Sequence, residues 1–190
     1  ALVARVAGSG GRSLEIALSG RTAELVWNTT QLVLLVTVSA AVIGVGAAWL
    51  TERTDLPGRR VFRVTAALPL VIPSYVIALT LLSALGPSGI LADATGLSIA
   101  APTGLPGAWI ALTLSTYPFV YLTSAAALRR LDPSLEEAAR GLGSPPAKVF
   151  WTIVVPQLRP ALAGGLLLVS LYSLSDFGAV SIARYNTFTL

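Results

Sequence analysis

The stretch EEAARGLGSPPAKVFWTIVVP, Glu136–Pro156, interrupts a largely apolar chain with two acids, two bases, glycines and a proline pair. It opens just after Asp132-Pro133, an acidic cap followed by a proline at the first helical position, which predicts a helix start. From there Leu135, Ala138, Ala139 and Leu142 recur at i, i+3, i+4 and i+7 and form one apolar stripe, with Glu136, Glu137 and Arg140 beside it. Gly141 and Gly143 let the chain leave that helix and turn. Ser144-Pro145-Pro146 restarts a helix by the same logic. In it Ala147, Phe150, Trp151 and Val154 repeat the spacing, and Pro156 and Pro160 are expected to bound it. The reading is two short amphipathic helices joined by a glycine turn. Trp151 and Lys148 suit a membrane interface. The first helix carries too little apolar area for that, and its alanines suit close docking against another protein.

The surroundings define the solvent. The 190 residues are 54% hydrophobic and 12% charged, with a mean hydropathy of +0.76. Soluble domains carry about a quarter charged residues, so the composition is that of a membrane protein. No charge falls between Glu24 and Glu52, between Arg63 and Asp93, or between Asp93 and Arg129. Each gap can hold a span of roughly 20 residues. A fourth apolar run, Ala161 to Ala183, is broken once by Asp176. Backbone groups in lipid must pair within their own segment, which makes these runs helices. Four spans are expected at about 25–50, 64–85, 108–128 and 161–183. An external segment at 1–24 precedes them, and a polar loop at about 129–160 separates the last two.

The net charge of +4 follows the membrane rather than a nucleic acid. Arg53, Arg59, Arg60 and Arg63 fill the first inter-span loop, and Arg129, Arg130, Arg140, Lys148 and Arg159 fill the third. The loop from Gly86 to Gly107 has one acid and no base. The positive-inside rule then makes the basic loops cytoplasmic, outweighing Arg5, Arg12 and Arg21 at the N-terminal end. Cysteine, histidine and methionine are absent. That removes disulfides, thiolate and imidazole metal ligands and the usual general base. A first residue other than methionine reads as the start of a fragment.

Within the spans, Asn28, Thr29, Thr30 and Gln31 are caps or interhelical hydrogen bonders. Gly44 and Gly46 permit a close helix approach. Pro69 and Pro73 kink or break the second span. That break is either a structural bend or part of a translocation path. A short interfacial helix is expected around Ile90 to Ala101, and Pro118 lies within the third span. Asp176 is the one ionisable residue inside an apolar run. Intramembrane acids are by default functional. Its alternatives are a structural tie to a serine, a backbone group or Arg184, or a pathway or gate role together with Ser175 and Pro73.

These residues carry a resemblance. Glu137-Ala138-Ala139, three residues, Gly143, nine residues, Ile153, one residue and Val155-Pro156 is similar to the EAA signature of ABC importer permeases, EAA-x3-G-x9-I-x-L-P, with valine in place of the leucine. WNTTQLVLLVTVSAAVIGVGAAWL with LPGRRVFR, and LPLVIPSYVIAL, resemble the first two core helices of the same MetI-like family. The likeness covers about Leu25 to Leu190. It implies an all-α, polytopic transmembrane bundle: one permease half lacking its last helix, in a bacterial inner membrane with the EAA loop cytoplasmic. It further implies a coupling helix in which Leu135, Glu137, Ala138, Ala139, Leu142 and Gly143 meet an ATP-binding subunit. The implied partners are a pair of such subunits, a second permease half, fused or separate, an external substrate-binding protein and membrane lipid. ATP would be used by the partner, with no cofactor, metal or catalytic residue on this chain. GLGSPPAK, Gly141 to Lys148, is not a phosphate-binding loop, since no serine or threonine follows the lysine. SLSDFGAVSIARYNTFTL is similar to ferric-iron type permeases and, within the same grouping, to thiamine and polyamine importers.

Three other classes fit the residues less well. A secondary transporter or channel needs coupling charges or a filter in the spans, and Asp176 alone is thin support. A membrane enzyme needs convergent nucleophiles, acids or metal ligands. A structural scaffold leaves the fixed EAA spacing unexplained.

Overall fold

The computed structural model describes residues 20–86, 89–95 and 101–188, and every regular element among them is helical. Three helices are long and apolar enough to cross a membrane, and a bent pair brings the number to four if it counts as one span. Helix α1 runs Gly20–Arg53, several residues beyond the expected span at both ends. Residues 1–19 of the expected external segment lie outside the described residues. Because α1 begins so early, Asn28 and Thr29 are not caps. Asn28 donates from Nδ2 to the Asn186 carbonyl at 3.1 Å, and Thr29 Oγ1 accepts from the Phe188 N–H at 3.1 Å. Both fasten the 185–188 tail to α1.

The second span is two pieces. Helix α2, Arg59–Thr65, continues through a 3₁₀ turn at Leu68–Val71, and α3, Ser74–Leu85, departs from it at 100°. Pro73 sits at the corner, where a ring in place of an N–H ends the incoming helix and starts the outgoing one. A short α4, Ile90–Thr95, follows, and residues 96–100 of the expected interfacial helix lie outside the described residues. Helix α5 is Leu105–Arg130, and its Pro118 is buried inside it.

The EAA stretch gives α6, Ser134–Gly141, then α7, Pro146–Val149, a π-helical turn at Phe150–Val154, and α8, Val155–Ser175. The expected stop at Pro156 and Pro160 does not occur, because Pro146–Ser175 is one continuous rod of 30 residues. In α geometry Pro156 would press its ring on the Thr152 carbonyl and could not bond to it. The wider π turn, closed by the Val155 N–H on the Phe150 carbonyl, opens the ladder where the proline needs room. At the other end α8 stops at Ser175, before Asp176, and a separate α9 covers Gly178–Ile182. The run 161–183 is therefore two elements and not one span.

Helix α5 is the central rod, with α1 and α8 packed on it. Gly44 of α1 and Gly165 of α8 meet it around the same residue: a Cβ on Gly44 would lie 2.7 Å from the Val120 Cβ, and one on Gly165 would lie 3.1 Å from the Val120 Cα. Only hydrogen fits at both positions, so backbones approach closely, which is how helices associate where lipid supplies no hydrophobic drive between them. Leu32, Val36 and Ala40 of α1, with Ala108, Ala111, Leu112 and Val120 of α5 and Val169 of α8, are buried along these seams. A second cluster, Ala48, Tyr121, Ala125, Leu128, Val154 and Leu158, seals the end that carries the basic loops. Leu34, Val38 and Val42 stand exposed on the outer face of α1, as lipid contact requires.

Candidate functional site

Helix α6 is built from its ends inward. The Ser134 N–H donates to Asp132 Oδ1 at 2.9 Å, and this hydrogen bond holds the Asp132 carboxyl below its usual range. At the other end Gly143 has φ +82°. Its N–H donates to the Arg140 carbonyl at 2.9 Å, and the Ser144 N–H donates to the Ala139 carbonyl at 3.0 Å. That pair of bonds with a left-handed glycine is the Schellman stop, and a side chain at Gly143 would be strained. The glycine turn expected from the sequence is thus present, with Gly143 rather than Gly141 in the special conformation.

The six residues assigned to an interface lie on this unit. Leu135 is 54% exposed and Leu142 88%, and Glu137 and Ala138 are also exposed. Ala139 is half-buried and Gly143 open. A short helix that turns two leucines to the outside, away from its own bundle, presents an unpartnered apolar face.

Sequence reasoning missed what holds α6 to the bundle. Glu136, adjacent to the exposed Glu137, is buried, and its carboxylate lies 3.2 Å from Arg53 Nη2 and 3.9 Å from Arg140 Nη2. Arg53, the last residue of α1, also donates to the Leu131 carbonyl at 3.2 Å, just past the end of α5. Next to it Glu52, with a side chain 3% exposed, is 2.7 Å from Arg63 and 3.7 Å from Arg129. Arg63 further donates to the Thr51 carbonyl, and its own carbonyl accepts from the Tyr121 hydroxyl. These arginines read in the sequence only as loop charges. An acid immediately before the arginine that ends an apolar helix was the available signal, together with the i, i+4 pair Glu136 and Arg140.

At the opposite end the three residues assigned to a pathway meet at the helix breaks. Asp176 Oδ2 accepts a short hydrogen bond from the Ser74 hydroxyl, and Oδ1 accepts from the Ala179 N–H at 2.8 Å. Asp176 therefore ties the first residue of α3 to the first turn of α9, choosing a serine and a backbone group over Arg184. Gly178 lies against α3 as well, where a Cβ would be 3.0 Å from the Tyr75 Cβ. Pro73 and Ser175 are both exposed beside this knot, and Ser175 donates to the Tyr172 carbonyl at 3.0 Å. Ser74, which the sequence reading passed over, is the residue that joins the two breaks.

The described residues form an all-helical bundle of membrane-length helices with one bent pair and a pinned helix that shows an exposed apolar face in the basic loop. The chain belongs to the family of binding-protein-dependent transport system inner membrane components, whose family model matches residues 40–184. It is 39% identical to the Fe(3+)-transport system permease protein FbpB 2 of Haemophilus influenzae over 94% of this chain and 32% of that protein. It is 34% identical to the sulfate transport system permease protein CysT of Escherichia coli, over 76% of this chain and 53% of the relative. The molybdenum transport system permease protein ModB of the same organism is also 34% identical, over 72% and 60%. The chain thus spans about a third to three fifths of the length of these relatives. Its fold is similar to the inward-facing MetNI methionine ABC transporter, with TM-score 0.58 and 22% identity over 83% of this chain and 75% of that one. It is likewise similar to an amino acid ABC transporter, with TM-score 0.57 and 21% identity over 87% and 72%.

Proposed function

We propose that this chain is part of the membrane permease of an ATP-driven importer, seated in a bacterial inner membrane with α6 on the cytoplasmic side, and that its cargo is ferric iron. The observation that carries the reading is α6. It is capped at both ends, pinned to the bundle through Glu136, and turns Leu135, Ala138 and Leu142 outward beside Glu137. Such a helix suits a groove on an ATP-binding subunit. Alanines allow close approach, the leucines fill a pocket, and Glu137 offers a charge to a basic partner residue. ATP hydrolysis belongs to that subunit pair, and a second permease half and an external binding protein complete the assembly. Closure of the ATP-binding pair moves α6 and swings the spans between inward-open and outward-open states, while the knot of Ser74 and Asp176 lies beside the route the cargo takes. Ferric iron is favoured by the relative similar over nearly the whole chain. An oxyanion cargo is the second reading, favoured by the sulfate and molybdenum permeases at 34% identity.

The test uses the full-length permease purified with its ATP-binding subunit. Gly143→Pro cannot adopt φ +82°, since proline fixes φ near −65°. The variant is expected to lose ATPase association and uptake, and a variant that retains both overturns the coupling role. Competition among ferric, sulfate and molybdate uptake in cells carrying the intact system separates the cargoes. Uptake of either oxyanion without iron uptake removes the iron reading.

A further inference from the structure

The adjacent acids Glu136 and Glu137 do opposite things. Glu137 is exposed on α6, while Glu136 points into the bundle, where Arg53 Nη2 lies 3.2 Å from its carboxylate. Among the described residues Arg53 is the only cation outside α6 within ion-pair distance of Glu136, while Arg63 and Arg129 pair with Glu52. Arg53 is itself held at two points. It ends the longest helix, α1, and its Nη2 donates to the Leu131 carbonyl directly after α5. One guanidinium therefore joins the C-terminal ends of α1 and α5 to the loop helix.

We infer that Arg53 and Glu136 form the strut by which a displacement of α6 is passed to α1 and α5, so that the pair positions the coupling unit and is required for transport to follow ATP hydrolysis. The inference rests on the importer reading above. The geometry suits the task. The pair is within ion-pair distance, yet Glu136 Oε1 and Arg53 Nε make no hydrogen bond. Charge attraction of this kind falls slowly with distance and tolerates a change of angle, whereas a directional hydrogen bond weakens steeply with misalignment. The contact can thus stay closed while α6 tilts, and because Arg53 ends α1 and donates to the Leu131 carbonyl, a pull on it is passed to α1 and the end of α5 together. The site is largely screened from water, so a removed partner is not replaced by solvent.

The complete transporter in proteoliposomes, with its ATP-binding subunit and binding protein, tests this through the amount of cargo moved per ATP hydrolysed. Glu136→Gln keeps the shape and removes the charge. It is expected to assemble and hydrolyse ATP while cargo moved per ATP falls at least about fivefold, the lower end of typical coupling effects. Arg53→Gln is expected to do the same, and the double variant to be no worse than the poorer single one, as for two ends of one contact. Glu136→Asp, which keeps the charge, should retain most of the yield. An unchanged yield in Glu136→Gln, or losses that multiply in the double variant, overturns the strut. Failure of Glu136→Gln to assemble while Glu136→Asp assembles but remains uncoupled overturns it as well. If the unaltered protein does not bind an ATP-binding subunit, the importer reading fails first, which is a separate result.

Discussion

Glu52 shows how much a single residue carries at the basic end. Its side chain is 3% exposed and faces two arginines, with the Arg63 pair at 2.7 Å. Removing Glu52 strands Arg63 and Arg129, which at 35% and 56% exposure keep part of their hydration, so the cost is about 1–2 kcal/mol. Glu52→Ala is therefore expected to lower the thermal unfolding midpoint of the detergent-solubilised protein by several degrees. Lys148→Ala, at an exposed position, should leave it within error. A larger loss in Lys148→Ala than in Glu52→Ala would contradict this account. At this scale the sequence was readable where chemistry is local. The glycine turn at 141–143 and the Asp132 cap follow from neighbours within five residues, while only the folded backbone singles out Gly143 as the left-handed one. The fate of Glu136 against Glu137 was not readable. Successive residues on a helix point about 100° apart, and which of them meets the bundle depends on how α6 docks.

Among elements, the decisive feature is that the corner of the bent pair and the break after α8 share one fastening. Asp176 satisfies the start of α9 and takes the hydroxyl that begins α3. Removing a helix-capping acceptor typically costs about 1 kcal/mol, and stranding a buried hydroxyl adds a comparable amount. Asp176→Ala is expected to raise amide exchange in both α3 and α9, while Asp176→Asn, which still accepts, should change it far less. Exchange that rises in α9 alone would detach α3 from the knot. The proline of the α3 corner was visible beforehand, but its outcome was not. Pro73 turned the chain by 100°, whereas Pro156 and Pro160 left a continuous rod. The difference lies in what surrounds each ring. A π turn accommodates Pro156, and only the folded backbone reveals it.

For the whole molecule, the bundle depends on the crossing at Val120, where α1 and α8 contact α5 through glycines on two sides. Gly44→Leu forces a side chain into contacts already below 3 Å, so overpacking of about 1–3 kcal/mol or more is expected. Gly46→Leu, two residues away with open space around it, should be tolerated. Equal losses of folded protein on a thermal scan would remove the crossing as the explanation. The helical class and the sidedness of charge were plain from apolar runs and arginine counts, because lipid imposes those rules on any sequence. Which runs stay whole was not plain. Ala161 to Ala183 carries no charge apart from Asp176, and at the break Asp176 accepts from a serine 102 positions away in the sequence.

The extra residue in the Phe150–Val154 turn has an angular meaning. Each residue added to a helix rotates everything beyond it by about 100° around the axis, so the compass bearing of the whole Pro146 end is set by that one widened turn. Shortening the turn by a residue would rotate the Pro146 end against α8 and pull on the Glu136–Arg53 pair that holds α6 in place. The bearing of α6 is therefore set partly by a backbone irregularity that sits between it and the buried cluster of Tyr121 and Leu128.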